Sequence, residues 1–169
     1  LDNATLNADN ITILDNSADD YGGGVMCYPG ALVFNGGVIS GNFAINGGGV
    51  ANGYGDLEIH GTVFTNNYAY YGAAVWSHTG NNLIDSAVFR QNHATDYGGA
   101  FNVISSGFTL TNSHLIANTA GSNGGGLYVA PDSPHSLISI HSSVISSNSG
   151  LYGGAIYSSY ATLAIDHST

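Results

Sequence analysis

Six times along the chain a glycine-rich run returns at nearly the same interval, with one asparagine standing five or six residues ahead of it. The runs are Tyr21-Gly22-Gly23-Gly24-Val25, Asn46-Gly47-Gly48-Gly49-Val50, Tyr71-Gly72-Ala73-Ala74-Val75, Tyr97-Gly98-Gly99-Ala100-Phe101, Asn123-Gly124-Gly125-Gly126-Leu127 and Tyr152-Gly153-Gly154-Ala155-Ile156. Their first glycines are 25, 25, 26, 26 and 29 residues apart, and the asparagines are Asn16, Asn42, Asn67, Asn92, Asn118 and Asn148. An apolar pair precedes each asparagine, from Ile13-Leu14 to Val144-Ile145. A fixed period of this length means a repeat architecture, in which each unit buries its apolar face only by stacking on the next.

The content of the repeat selects strands over helices. Short apolar runs such as Leu57-Glu58-Ile59, Phe108-Thr109-Leu110 and Leu163-Ala164-Ile165 are bounded by Gly, Asn, Asp and Ser, which is strand-and-turn chemistry. No window supports a long amphipathic helix, and strong helix formers are scarce: the chain has no lysine and one arginine, Arg90. The expected fold is therefore all-β, a single-stranded parallel β-helix of about six coils with 25 to 29 residues per coil and three short strands in each. Residues 1-169 read as one continuous segment, with Leu6 to Leu14 inside the first coil and Thr162 opening a seventh. No atypical capping repeat appears at either end, so the segment reads as an excerpt of a longer array.

Stacking turns each repeat position into a column with a rise of about 4.8 Å per coil. Six coils then make a rod on the order of 30 Å long. The asparagines are expected to form a hydrogen-bonded ladder, each accepting a left-handed backbone at a sharp bend. The glycines are expected where the chain turns or a neighbouring backbone comes too close for a Cβ. On this reading Asn92→Leu damages stability.

Charge excludes some partners. Eleven acidic residues against one basic residue give a formal net charge of −10, which argues against nucleic acid and anionic membrane surfaces, since both need Lys or Arg. No direct membrane insertion of this segment is expected. The one cysteine, Cys27, follows a turn on a strand and reads as a small buried side chain. Two sequons, Asn3-Ala4-Thr5 and Asn10-Ile11-Thr12, are possible N-glycosylation sites and lean toward an extracellular setting.

The repeats also resemble those of the chlamydial polymorphic outer membrane proteins. The resemblance rests on Phe64 to Asn67 and Phe89 to Asn92, which match Phe-x-x-Asn, and on Gly153-Gly154-Ala155-Ile156 with its variants Gly98-Gly99-Ala100-Phe101 and Gly47-Gly48-Gly49-Val50. It covers all six coils, with Ile in place of Phe at Ile39 and Ile145 and Ala73-Ala74 in the third run. It implies a right-handed β-helix, displayed at the cell surface as the passenger of an autotransporter and acting as an adhesin.

Three functional classes follow. An adhesin would present repeated columns to a cell-surface receptor or glycan; a filament or coat subunit would use the same rod for self-association into fibres; a polysaccharide-active enzyme would need clustered charged groups. Asp56, Glu58 and Asp85 do not share a column, and Arg90 is read in a turn, so no catalytic residue is assigned. One polar column, Asn10, Asn35, His60, Asp85, Asn112 and His141, is read as turn chemistry, and neither a metal nor a cofactor is expected. The other histidines, His78, His93, His114, His135 and His167, read as loop residues. The outward positions one residue past each restarted core residue, Met26, Ala51, Trp76, Asn102, Tyr128 and Tyr157, place Trp76, Tyr128 and Tyr157 on a candidate partner-binding face. As a surface residue, Trp76 is expected to tolerate Trp76→Ala with thermal unfolding nearly unchanged. A second row, Tyr21, Asn46, Tyr71, Tyr97, Asn123 and Tyr152, is read as stacking that stiffens the rod.

Overall fold

The computed structural model of the chain describes residues 4–130 and 136–169. Every strand pair in it is parallel, and each partner lies one repeat away, as in Val25↔Val50↔Val75↔Phe101↔Leu127↔Ile156. No helix occurs among the described residues. The chain is thus a parallel β-solenoid of about six coils, and Thr162–Asp166 pairs with Leu137–His141 to begin a seventh.

Each coil has four extended limbs where three were expected. The first limb stacks Val25–Cys27 on Val50–Gly53 and on the leading halves of Val75–Asp85 and Phe101–Thr111. The second and third are cut from one run by a left-handed residue, as Leu57–His60 and Val63–Thr65 are divided at Gly61 (φ 59°). The fourth stacks Phe43–Asn46, Tyr68–Tyr71, His93–Tyr97 and Thr119–Ala120 as a separate four-stranded sheet. The extra corner falls at Gly61, Ser86, Asn112 and Ser142, small or polar residues that tolerate positive φ.

Alternation along the limbs fills the interior. Leu57 and Ile59 point inward with Phe34, Phe64, Phe89, Phe101 and Phe108, all buried. The phenylalanines touch in series: Phe64 and Phe89 stack with centroids 4.8 Å apart, Phe89 lies 4.4 Å from Phe101, and Phe101 meets Phe108 edge-on at 5.0 Å. Such pairs add to the burial of the rings themselves. Cys27 is buried in this core, and burial pushes its thiol pKa up.

The asparagine column forms as expected. Each Nδ2 donates to the Oδ1 of the asparagine one coil on, from Asn16→Asn42 to Asn118→Asn148, at 2.9 to 3.0 Å. The same Oδ1 also accepts the backbone N–H of the preceding asparagine, as Asn92 Oδ1 does from Asn67 N at 3.1 Å. The second Nδ2 proton goes back to a carbonyl of the preceding coil, as from Asn92 to Phe64 at 3.1 Å. The backbone expectation needs correction: the left-handed residue is the one before each asparagine, namely Asp15, Gly41, Asn66, Gln91, Ala117 and Ser147. That neighbour takes the left-handed conformation at the bend, and the amides of Asn42, Asn67, Asn92 and Asn118 turn inward and are buried.

A second hydroxyl column runs five residues ahead of the asparagines. Ser113, Ser143 and Ser168 each accept the backbone N–H of their counterpart one coil earlier, at 3.0, 3.1 and 3.2 Å. At the glycine runs, the first glycine of each has φ between 60° and 69°. A Cβ on Gly98 would stand 2.2 Å from the Phe101 carbonyl oxygen, so both conformation and space require glycine there.

Candidate functional site

The first limb carries the candidate face on its outer side. Its register is the one read from the repeat: Met26, Ala51, Trp76, Asn102, Tyr128 and Tyr157 are successive Cα partners. Trp76, Tyr128 and Tyr157 point outward but are half-buried by their neighbours. Ala51, also outward, is 0% exposed, so the aromatic side chains form a roof over the strand. Trp76 is therefore packed, and the expectation that its truncation leaves unfolding nearly unchanged does not fit its burial.

The rings fall into two groups. Tyr71, Tyr97, Tyr128 and Tyr157 form a stack, with centroids 5.6, 4.7 and 5.4 Å apart and the last two pairs within 14° of parallel. The stack crosses from the turn row to the strand row, because Asn102 leaves a gap in the aromatic column that Tyr97 covers. The inner rings cover one another's faces and offer edges and hydroxyls. Burial, then the Asp96 carboxylate and Tyr97, raise the pKa of Tyr71; burial, then Tyr97, Tyr157 and Asp96, raise that of Tyr128.

The other group meets at steep angles. Tyr21 meets Trp76 at 61°, Tyr54 meets His78 at 75°, and Tyr28 meets Tyr54 at 88°, with centroids 5.0 to 5.3 Å apart; Trp76 and His78 are nearly parallel at 12°. These rings, with Met26 and Ile104, line a cavity of about 700 Å³. A second cavity of about 380 Å³ is lined by Asn46, Tyr71, Trp76, Tyr97, Asn102, Ile104, Tyr128 and Ala130. Trp76 and Ile104 belong to both. Tyr28 and Tyr54 were not singled out from the sequence and His78 was read as a loop residue, because the corner after the first limb reads Tyr28, Gly53, His78, Ile104, with Tyr54 one residue beyond it, and keeps no residue type.

The remaining candidates separate. His78, His93 and His114 are strand residues, and His135 lies outside the described residues. The polar column is Asp9, Asn35, His60, Asp85, Thr111, His141 and Asp166, so Asn10 and Asn112 stand one residue off it, at the left-handed bend. His60 pairs with Glu58 at 3.5 Å on its own strand. Among the described residues no three His, Cys, Asp or Glu side chains are grouped to hold a metal. Arg90 ends the strand Val88–Arg90 in a different stack and is exposed. Asn10 is exposed with φ 50°, and Asn3 lies outside the described residues. No family model, curated protein or solved structure matches the chain.

Proposed function

We propose that this chain is a non-catalytic segment of a surface-displayed extracellular protein, an adhesin-like rod that presents its aromatic face to a receptor or glycan. The observation that carries the reading is the pair of adjoining open hollows lined by Trp76 and the surrounding tyrosines, on the outer side of a laddered and therefore stiff solenoid. Concave, mostly apolar sites with a few converging polar groups are the usual form of a binding site. Apolar bodies with polar tips suit Tyr and Trp to such a surface. The resemblance of the repeats to chlamydial outer membrane proteins favours display, and the exposed sequon at Asn10 fits an extracellular setting.

The second reading, a structural subunit of an extracellular filament or coat, would use the same face to pack rods side by side. Immunogold electron microscopy of native material with an antibody to this segment separates the two. Label scattered over the cell envelope supports display. Label along filament bodies overturns it in favour of the structural subunit.

A further inference from the structure

We propose that the two adjoining cavities act as one cleft for a short, uncharged oligosaccharide, with Trp76 at its centre and Asn102 as the buried polar group that engages a sugar hydroxyl. The inference rests on reading this face as a recognition surface, and it names the occupant.

Continuity comes first. Trp76 and Ile104 line both cavities, so the two adjoin at these residues, and a ligand lying along the rod would pass over them from one to the other. The lining runs from the coil of Met26 to that of Tyr128, four steps of about 4.8 Å, or roughly 19 Å. That length suits a chain of several sugar rings better than a single small molecule.

Asn102 supplies the second observation. It is 2% exposed, lines the smaller cavity, and its Oδ1 has no hydrogen-bond partner. A buried acceptor left unpaired is destabilising in the free protein. The amide torsion of asparagine is soft, so a modest turn brings the oxygen to the cavity, where a ligand hydroxyl satisfies it. An apolar ligand would leave that oxygen unpaired.

Charge then selects among sugars. Neither cavity is lined by Lys, Arg, Asp or Glu. A uronate, sulfated or sialylated glycan would find no cation to pair with, and Asp96 beside Tyr71 would repel it. Asp96 would favour a quaternary cation over the rings, but its ammonium group carries no N–H and would leave the Asn102 oxygen unpaired. A neutral pyranose suits both parts of the lining: its C–H surface matches the aromatic carbon, and its hydroxyls match Asn102 and the tyrosine hydroxyls.

Trp76 is the only tryptophan of the chain, so its emission reports directly on the cleft. The test is a fluorescence titration of the folded chain with neutral gluco-, xylo-, manno- and N-acetylglucosamine oligosaccharides, with an oligogalacturonate and choline as charged probes. Saturable change with at least one neutral oligosaccharide, and with neither charged probe, is the expected result. Tyr54→Ala, at a 51% exposed position, should weaken that binding about tenfold, while Tyr70→Ala, 49% exposed on the four-stranded sheet, should stay within about twofold. Asn102→Leu should lose at least about tenfold in affinity without loss of thermal stability, an outcome that a purely structural amide would not give. Response to a charged probe alone, or to none of the sugars, overturns the proposal. Envelope labelling with no sugar response would sink the glycan and leave display standing; sugar binding by a chain found in filaments would do the reverse.

Discussion

The asparagine ladder and the aromatic face are columns of one solenoid, yet they treat the repeat in opposite ways. The ladder holds the same residue at all six positions, and its inner members use their side-chain polar atoms on neighbouring coils, as Asn92 does with Asn67, Asn118 and Phe64. The aromatic face changes residue at almost every coil, from Met26 through Ala51, Trp76 and Asn102 to two tyrosines, and leaves the Asn102 oxygen unpaired. A column that satisfies itself makes the rod stiff and has nothing left to offer a partner. A column that breaks the repeat creates unlike neighbours, and the gap at Asn102 and the step at Trp76 are where the cavities form.

The largest test of that contrast is Asn92→Leu. The change removes the acceptor for the Asn67 backbone N–H and side chain and the donor to Asn118 and Phe64, all in a buried column. A loss of about 4 kcal/mol is expected, since several buried groups are left unpaired at once. Urea unfolding followed by circular dichroism measures it, and a change under about 1 kcal/mol would mean the ladder does not carry the stiffness assigned to it. Gly98→Ala probes the turn that holds the two columns in register: a left-handed φ of 69° and a carbonyl 2.2 Å from the new Cβ should cost about 2 kcal/mol in the same assay. Trp76→Ala should come next, at about 1 to 2 kcal/mol, because the ring covers Ala51 and packs on Tyr21 and His78. A cost equal to that of Asn92→Leu would erase the distinction between a structural column and a presented one. Ser113→Ala should cost about 1 kcal/mol through the lost acceptor for Ala87 N–H.

How much of this was legible follows the same division. The coil period, the parallel stacking, the ladder and the register of the outer column could all be read from spacing alone, because a solenoid converts sequence interval directly into position. The hydroxyl column could not, since its positions read Ile11, Gly37, Thr62, Ala87, Ser113 and Ser143, and only some carry an oxygen. The extra corner, between the second and third limbs, was missed because the residues that make it, such as Ser86 and Asn112, have no common identity; what they share is a positive φ. The cleft was half legible. Trp76 and Tyr128 fell on the outer face by alternation, but ring angles depend on which neighbour is small. Tyr28 settles over Gly53, where a Cβ would lie 2.8 Å from its ring, and only then does it reach the edge of Tyr54.

The smallest expected effect separates the columns by pH. The ladder contains only amides and cannot titrate, whereas Tyr71 and Tyr128 have raised pKa values, first through burial and then through Asp96 and the neighbouring tyrosines. A tyrosine in the unfolded chain ionises near pH 10. Because the folded values lie higher, the fold favours the neutral phenols, and their contribution is complete below about pH 10. As pH rises further the unfolded chain loses its phenol protons first, so stability falls until the folded phenols ionise as well. Urea midpoints measured from neutral pH upward should therefore stay flat with respect to these groups and decline above about pH 10. The double variant Tyr71→Phe/Tyr128→Phe should shrink the decline, while Asn92→Leu should lower the whole curve and keep its alkaline slope. An unchanged slope in the double variant would place the titration elsewhere and deny the stacked tyrosines any part in holding the rod. A changed slope in Asn92→Leu would mean instead that the ladder and the aromatic face are coupled, and that the stiff column sets the ring spacing on the presented one.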